Sequence, residues 1–79
     1  MTGAPEPVEE TVHFATGGTK YSGFLLHGDM HGAWSWYRRD GSLMRTGEFD
    51  RGRQVGTWRT YDRAGNVVKE TNPREESQS

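Results

Sequence analysis

The chain has 79 residues, of which 30% are hydrophobic, 27% charged and 11% aromatic, with a mean hydropathy of −0.98 and a formal net charge of −1. That size supports one small core and no second domain, and a charge near neutrality argues against a general nucleic-acid binder. The lack of cysteine excludes a disulfide or thiolate–metal framework.

Residues 1–10, MTGAPEPVEE, are acidic and too poor in apolar groups to offset the entropy of ordering, so a disordered N-terminal tail is expected. They contain no stretch of signal-peptide type, and no run in the chain approaches membrane-spanning length, which points to a cytoplasmic protein. From residue 11 the pattern changes. Segments at 11–15, 20–26, 33–38, 43–49, 56–61 and 67–71, rich in aromatic and β-branched residues, alternate with turn signals. TGGT at 16–19, RDGS at 39–42 and RAGN at 63–66 mark one set of turns, and the loops GDMHG and DRGRQ mark the other. No segment shows the i, i+3, i+4, i+7 apolar pattern of a helix. The expectation is an all-β domain over 11–71, a single-layer antiparallel meander of about six strands, followed by a disordered tail at 72–79, NPREESQS. Residues 20–70 hold nine Lys/Arg and six Asp/Glu, a mildly basic centre between acidic flanks that reads as solvated surface.

HGAWSWY at 31–37 returns as VGTWRTY at 55–61, and a shift of 24 residues also superimposes Gly23 on Gly47, Leu25 on Phe49 and Gly41 on Gly65. Nine such coincidences without a gap mark a repeat, so the meander is built from 24-residue β-hairpin units. Register accounts for the spacing. A two-residue turn at Asp40-Gly41 puts Trp34 opposite Gly47 and Trp36 opposite Arg45. A four-residue loop at 51–54 brings Trp58 to the other side of Gly47, and a Gly17-Gly18 turn sets Gly23 between Trp34 and Val12. A glycine beside each indole leaves room for the ring to lie across the sheet. One face is then predicted to carry Val12, Phe14, Tyr21, Leu25, Trp34, Trp36, Leu43, Phe49, Trp58 and Val67. The other carries Phe24, Leu26, Tyr37, Met44, Tyr61 and Val68 among polar residues, so that both faces stabilise the layer.

The stretch HGAWSWYRRDGSLMRTGEFDRGRQVGTWRTYDRAGNVVKET resembles the MORN-repeat variant of YwqK-type antitoxin-like proteins, whose units read approximately as Gly-x-Trp, Tyr, Asn/Asp-Gly-x-Leu and Gly-x-Tyr/Phe before a glycine-containing turn. The likeness covers residues 20–71, about two units, with a degenerate half-unit at 11–19; Thr60 stands where the first unit has Trp36. It implies antiparallel hairpins, a binding role and no enzyme activity. The spacing from Trp36 to Trp58 is also close to that of WW domains, but WRTYDRAG lacks the proline those domains place after their second tryptophan.

No residues are assigned to catalysis, metal binding or a cofactor. His27 and His31 flank a glycine-bearing turn with no third ligand nearby, and His13 reads as a strand residue. Asp40, Asp50 and Asp62 occupy turn positions, where Asp is favoured for its backbone hydrogen bonds rather than for acid–base work. The arginines interleaved with rings in WSWYRR and WRTYDR are the one arrangement with functional latitude. They suit cross-strand cation–π packing such as Arg45 over Trp36, a protein interface, or stacking on nucleic acid or anionic lipid. The predicted binding residues are Tyr21, Trp34, Trp36, Arg45, Phe49 and Trp58. The expected function is a non-enzymatic protein-interaction module. The resemblance specifies it as an antitoxin or immunity-like protein that occludes a partner such as a toxin. Alternatives are a peripheral phospholipid-binding repeat, weakened by the modest positive charge, and a structural unit that associates with itself.

Overall fold

The computed structural model describes residues 6–73. Its strands are β1 (Val8–His13), β2 (Thr19–Leu26), β3 (Asp29–Tyr37), β4 (Leu43–Asp50), β5 (Arg53–Tyr61) and β6 (Val67–Thr71). They form one six-stranded sheet in the order β1-β2-β3-β4-β5-β6, every neighbour antiparallel. With principal extents of 46 × 40 × 15 Å the sheet is a single layer, the all-β meander that the repeat predicts. β1 begins at Val8, so Val8, Glu9 and Glu10 of the expected tail are strand residues. The remainder of the two expected tails lies largely outside the described residues.

Two kinds of turn alternate. The first spans 14–18, 38–42 and 62–66, positions related by the 24-residue period. In each, the fourth residue's N–H donates to the first residue's carbonyl: Gly17 to Phe14 at 2.9 Å, Gly41 to Arg38 at 2.9 Å and Gly65 to Asp62 at 3.0 Å. The fourth residue has φ of 106°, 93° and 92° respectively, a left-handed conformation that glycine adopts at little steric cost. This is a three-residue hairpin loop with a glycine bulge, and the register shifts beside it at Val12/His13, Trp36/Tyr37 and Thr60/Tyr61. The loop is one residue longer than the expected Asp40-Gly41 turn, but the bulge cancels the difference. Trp34 therefore pairs with Gly47 and Trp36 with Arg45, as the spacing predicts. In the first hairpin the same turn replaces the expected Gly17-Gly18 turn, and the register moves by two residues. Val12 thus pairs with Tyr21, and Gly23 with Glu10 rather than with Val12. Phe14 lies in that turn and not in a strand, with the cations of Arg39 and Lys20 at 5.6 and 6.0 Å from its ring.

The second kind is a tight turn at His27-Gly28 and Arg51-Gly52, with φ of 53°, 86°, 51° and 89°. Positive φ at both central residues is the turn geometry that matches the twist of flanking strands. The expected loops GDMHG and DRGRQ are therefore mostly strand. A two-residue register shift follows in β3, opposite Ser22 to Phe24, and again in β5, opposite Thr46 to Glu48. A tight turn plus that bulge displaces the register as much as a four-residue loop would. The pairs Arg45–Thr60 and Thr46–Arg59 extend by one step to set Trp58 against Gly47.

Among the described residues the buried positions are Gly23, Trp34, Gly47 and Trp58. All four lie on one face. On the opposite face Leu26, Tyr37 and Tyr61 are half-buried, with the Tyr61 hydroxyl 3.2 Å from that of Thr46, whereas Phe24, Met44 and Val68 are exposed.

Candidate functional site

Each buried indole is placed by a glycine one strand earlier. A Cβ added to Gly23 would stand 2.0 Å from Cδ2 of Trp34, and one added to Gly47 would stand 2.3 Å from Cδ2 of Trp58. The rings thus occupy the space that a side chain would take. Their N–H groups are satisfied by backbone carbonyls, Trp34 donating to Phe24 and Trp58 to Val55, both at 3.1 Å. Exposure falls to 2% for Trp34 and 5% for Trp58.

Other rings close over this floor. Trp36 lies between the two, 6.3 Å from Trp34 and 5.4 Å from Trp58, tilted by 32° to each. Tyr21 approaches Trp34 at 6.0 Å, and the Phe49 ring stands at 86°, 63° and 89° to Trp34, Trp36 and Trp58, with centroids 6.2, 6.4 and 5.1 Å apart. These separations are in the range where edge-on and offset aromatic contacts add to area burial. The guanidinium of Arg45 stands 5.0 Å from the Trp36 ring and 5.4 Å from the Trp58 ring, so it caps both indoles. The structure therefore gathers Tyr21, Trp34, Trp36, Arg45, Phe49 and Trp58 on one face. It also divides them. Trp34 and Trp58 are floor, closed to contact, whereas Tyr21, Trp36 and Phe49 are partly exposed and Arg45 is exposed.

Beside this cluster, over β4 to β6, is a shallow pocket of about 110 Å³ lined by Arg45, Gln54, Trp58, Thr60, Lys69 and Thr71. Gln54, Lys69 and Thr71 are not among the residues singled out from the sequence. Reading the second unit position by position against the first would have found them, because the pocket sits where Thr60 replaces Trp36.

His31 and the turn aspartates have structural partners. Nδ1 of His31 accepts the N–H of Arg51 at 3.1 Å, and His27 is the first residue of a tight turn. Asp40 accepts the Ser42 hydroxyl at 2.6 Å, the Ser42 N–H at 2.8 Å and Nε of Arg63 at 2.8 Å, which holds its carboxyl well below the usual carboxylate range. Asp62 is likewise lowered, chiefly by the backbone N–H of Asn66 at 2.9 Å. Among the described residues no three His, Asp or Glu come together as a metal site, and no helix is long and apolar enough to cross a membrane. In comparisons with known proteins the chain matches no family model, no curated protein and no solved structure.

Proposed function

We propose that this chain is a non-enzymatic protein-interaction module that binds through the face bearing Trp36, Tyr21, Phe49 and Arg45. The observation that supports it is the ring cluster itself: partly exposed aromatics crowned by an exposed arginine, on a sheet with no second layer over it among the described residues. Aromatic anchors with a neighbouring Arg are the residue types that dominate interface energies, and patches of this kind mark contact surfaces. The repeat resemblance adds the narrower reading, an antitoxin or immunity-like protein that occludes its partner.

Two variants test the face. Trp36→Thr copies the second unit and should weaken association by roughly 2 kcal/mol or more. Trp36 also touches Trp34, Phe49 and Trp58, so this change lowers the melting midpoint as well. Arg45→Glu leaves every ring in place and removes only the cation over Trp36 and Trp58, so it should lower the midpoint less than Trp36→Thr does while weakening association. Sedimentation reads association with a second copy, and affinity capture with wild-type and variant baits reads a different partner. Identical sedimentation and identical retained proteins for all three chains would place the contact elsewhere.

A further inference from the structure

We propose that the pocket over β4 to β6 is an oxyanion site, and that it takes an acidic group carried by a side chain of the partner. The second half rests on the reading of this face as a protein-binding surface and names what the partner brings to it. One ladder crosses the sheet through Tyr21, Trp36, Arg45, Thr60 and Lys69, each paired with the next. Its character changes along the way. In the first unit Trp36 stands between Tyr21 and Arg45, and 24 residues on Thr60 stands between Arg45 and Lys69. At the aromatic end the rings pack on one another. The cationic end holds a space of about 110 Å³ whose lining is polar apart from Trp58: Arg45, Gln54, Thr60, Lys69 and Thr71.

These five side chains are donors without acceptors. Elsewhere Arg38 donates to backbone carbonyls, and Arg51, Arg59 and Arg63 pair with Asp50, Glu70 and Asp40. Arg45 and Lys69 pair with no carboxylate among the described residues. None of the five side chains takes part in a hydrogen bond among the described residues. Strand alternation sends the acids closest in sequence, Glu48 and Glu70, to the other face. Arg45 is also held in position. Its guanidinium lies 5.0 and 5.4 Å from the Trp36 and Trp58 rings, contacts that restrain the side chain without occupying its N–H groups. A guanidinium beside an ammonium recognises carboxylate or phosphoryl oxygens, and the hydroxyls and the amide add neutral donors to the same group. A cationic group would be repelled there, and an apolar one would give these donors nothing to bond.

The test uses the full isotope-labelled chain followed by NMR, with sodium acetate, sodium phosphate and sodium chloride at equal ionic strength as probes. Acetate or phosphate should shift the Arg45 side-chain N–H and the amides of Thr60, Lys69 and Thr71 to saturation, and chloride should not. Lys69→Gln should weaken that binding about threefold, the scale of one exposed ion pair. Lys69→Arg should restore it, and Lys20→Gln, which removes the same charge on β2, should leave it unchanged. Affinity capture then reads the partner: a Lys69→Glu bait should lose proteins that the wild type retains. Loss of those proteins after phosphatase treatment of the lysate assigns the group as phosphoryl, and their persistence assigns it as carboxylate. The site is overturned if neither anion binds, if chloride reproduces the shifts, or if Lys20→Gln weakens binding as much as Lys69→Gln. Unchanged capture by the Lys69→Glu bait overturns the protein source, and binding to phosphatidylglycerol vesicles that Lys69→Gln abolishes would move the group to a lipid surface. Should the site fail while Arg45→Glu and Trp36→Thr still lose retained proteins, the binding face stands without it. Anion binding alongside unchanged capture by those two variants removes the binding face instead.

Discussion

Gly47 has Trp34 on one neighbouring strand and Trp58 on the other, and the two contacts differ. The three atoms nearest to a built Cβ at Gly47 all belong to Trp58, and those nearest at Gly23 all belong to Trp34. Each indole leans onto the glycine of the preceding strand, so each Gly–Trp pair is one packing unit. Gly47→Val would drive a branched side chain into the Trp58 ring, an overpacking cost of about 1–3 kcal/mol. In a domain whose buried set is two such pairs, that is a large share of the stability. Chemical denaturation should show a clearly lowered midpoint, and an unchanged one would mean that the ring does not lie on Gly47. The pairing was legible in the sequence because the Gly-to-Trp interval recurs at 24 residues. The direction of lean was not legible, since spacing alone sets a ring on either side of Gly47 and only the packing selects Trp58.

Between the strands, the turns at 38–42 and 62–66 are joined side by side. Arg38 donates to the Ser42 hydroxyl, to the carbonyl of Leu43 at 3.2 Å and to the carbonyl of Tyr61, while Arg63 bonds Asp40 at 2.8 Å. These contacts fasten the start of one hairpin loop to its counterpart in the next unit. Asp40 and Asp62 both have folded-state pKa values below their ordinary ones. A lowered carboxylate contributes stability that is present above the unfolded-state value and lost as pH falls towards the folded one. Melting midpoints should therefore decline from about pH 4 downward, and the decline should be shallower in Asp40→Asn and Asp62→Asn. Equal slopes in wild type and variants would show that other carboxylates dominate the acid limb. The aspartates were readable as turn residues from RDGS and RAGN. The three-residue loop was not, because a bulge returns the register to the value a shorter turn would give.

At the scale of the whole molecule, an open sheet built from repeats must stop at two edges. Carried to the ends, the 24-residue period puts Glu10 where Trp34 and Trp58 stand, and Thr71 where Gly23 and Gly47 stand. β1 thus offers no indole, and β6 no glycine on which one could lie. Continuing the array would set Thr71 of one copy opposite Glu10 of the next, so that junction would lack the Gly–Trp packing unit. A variant combining Glu10→Trp with Thr71→Gly restores the packing unit at that junction. It should form a concentration-dependent series of open-ended oligomers in sedimentation velocity, whereas either substitution alone should not. No extension by the double variant would mean that the edges are closed by something other than these two residues.

The repeat, the strand count, the alternation that puts six predicted binding residues on one face and the Gly–Trp registers of the two central hairpins were all determined by the sequence. Such features follow from local periodicity, which a chain of recurring hairpins writes directly into residue spacing. Tertiary structure alone decided that Trp34 and Trp58 are floor while Trp36 and Arg45 are surface, because exposure depends on which rings lean across a neighbouring strand. It also decided that the first hairpin is displaced by two residues, since the length of a turn includes bulges that composition does not distinguish. The pocket belongs to the same class. It is a property of three strands together, formed where one unit lacks the ring that the other supplies.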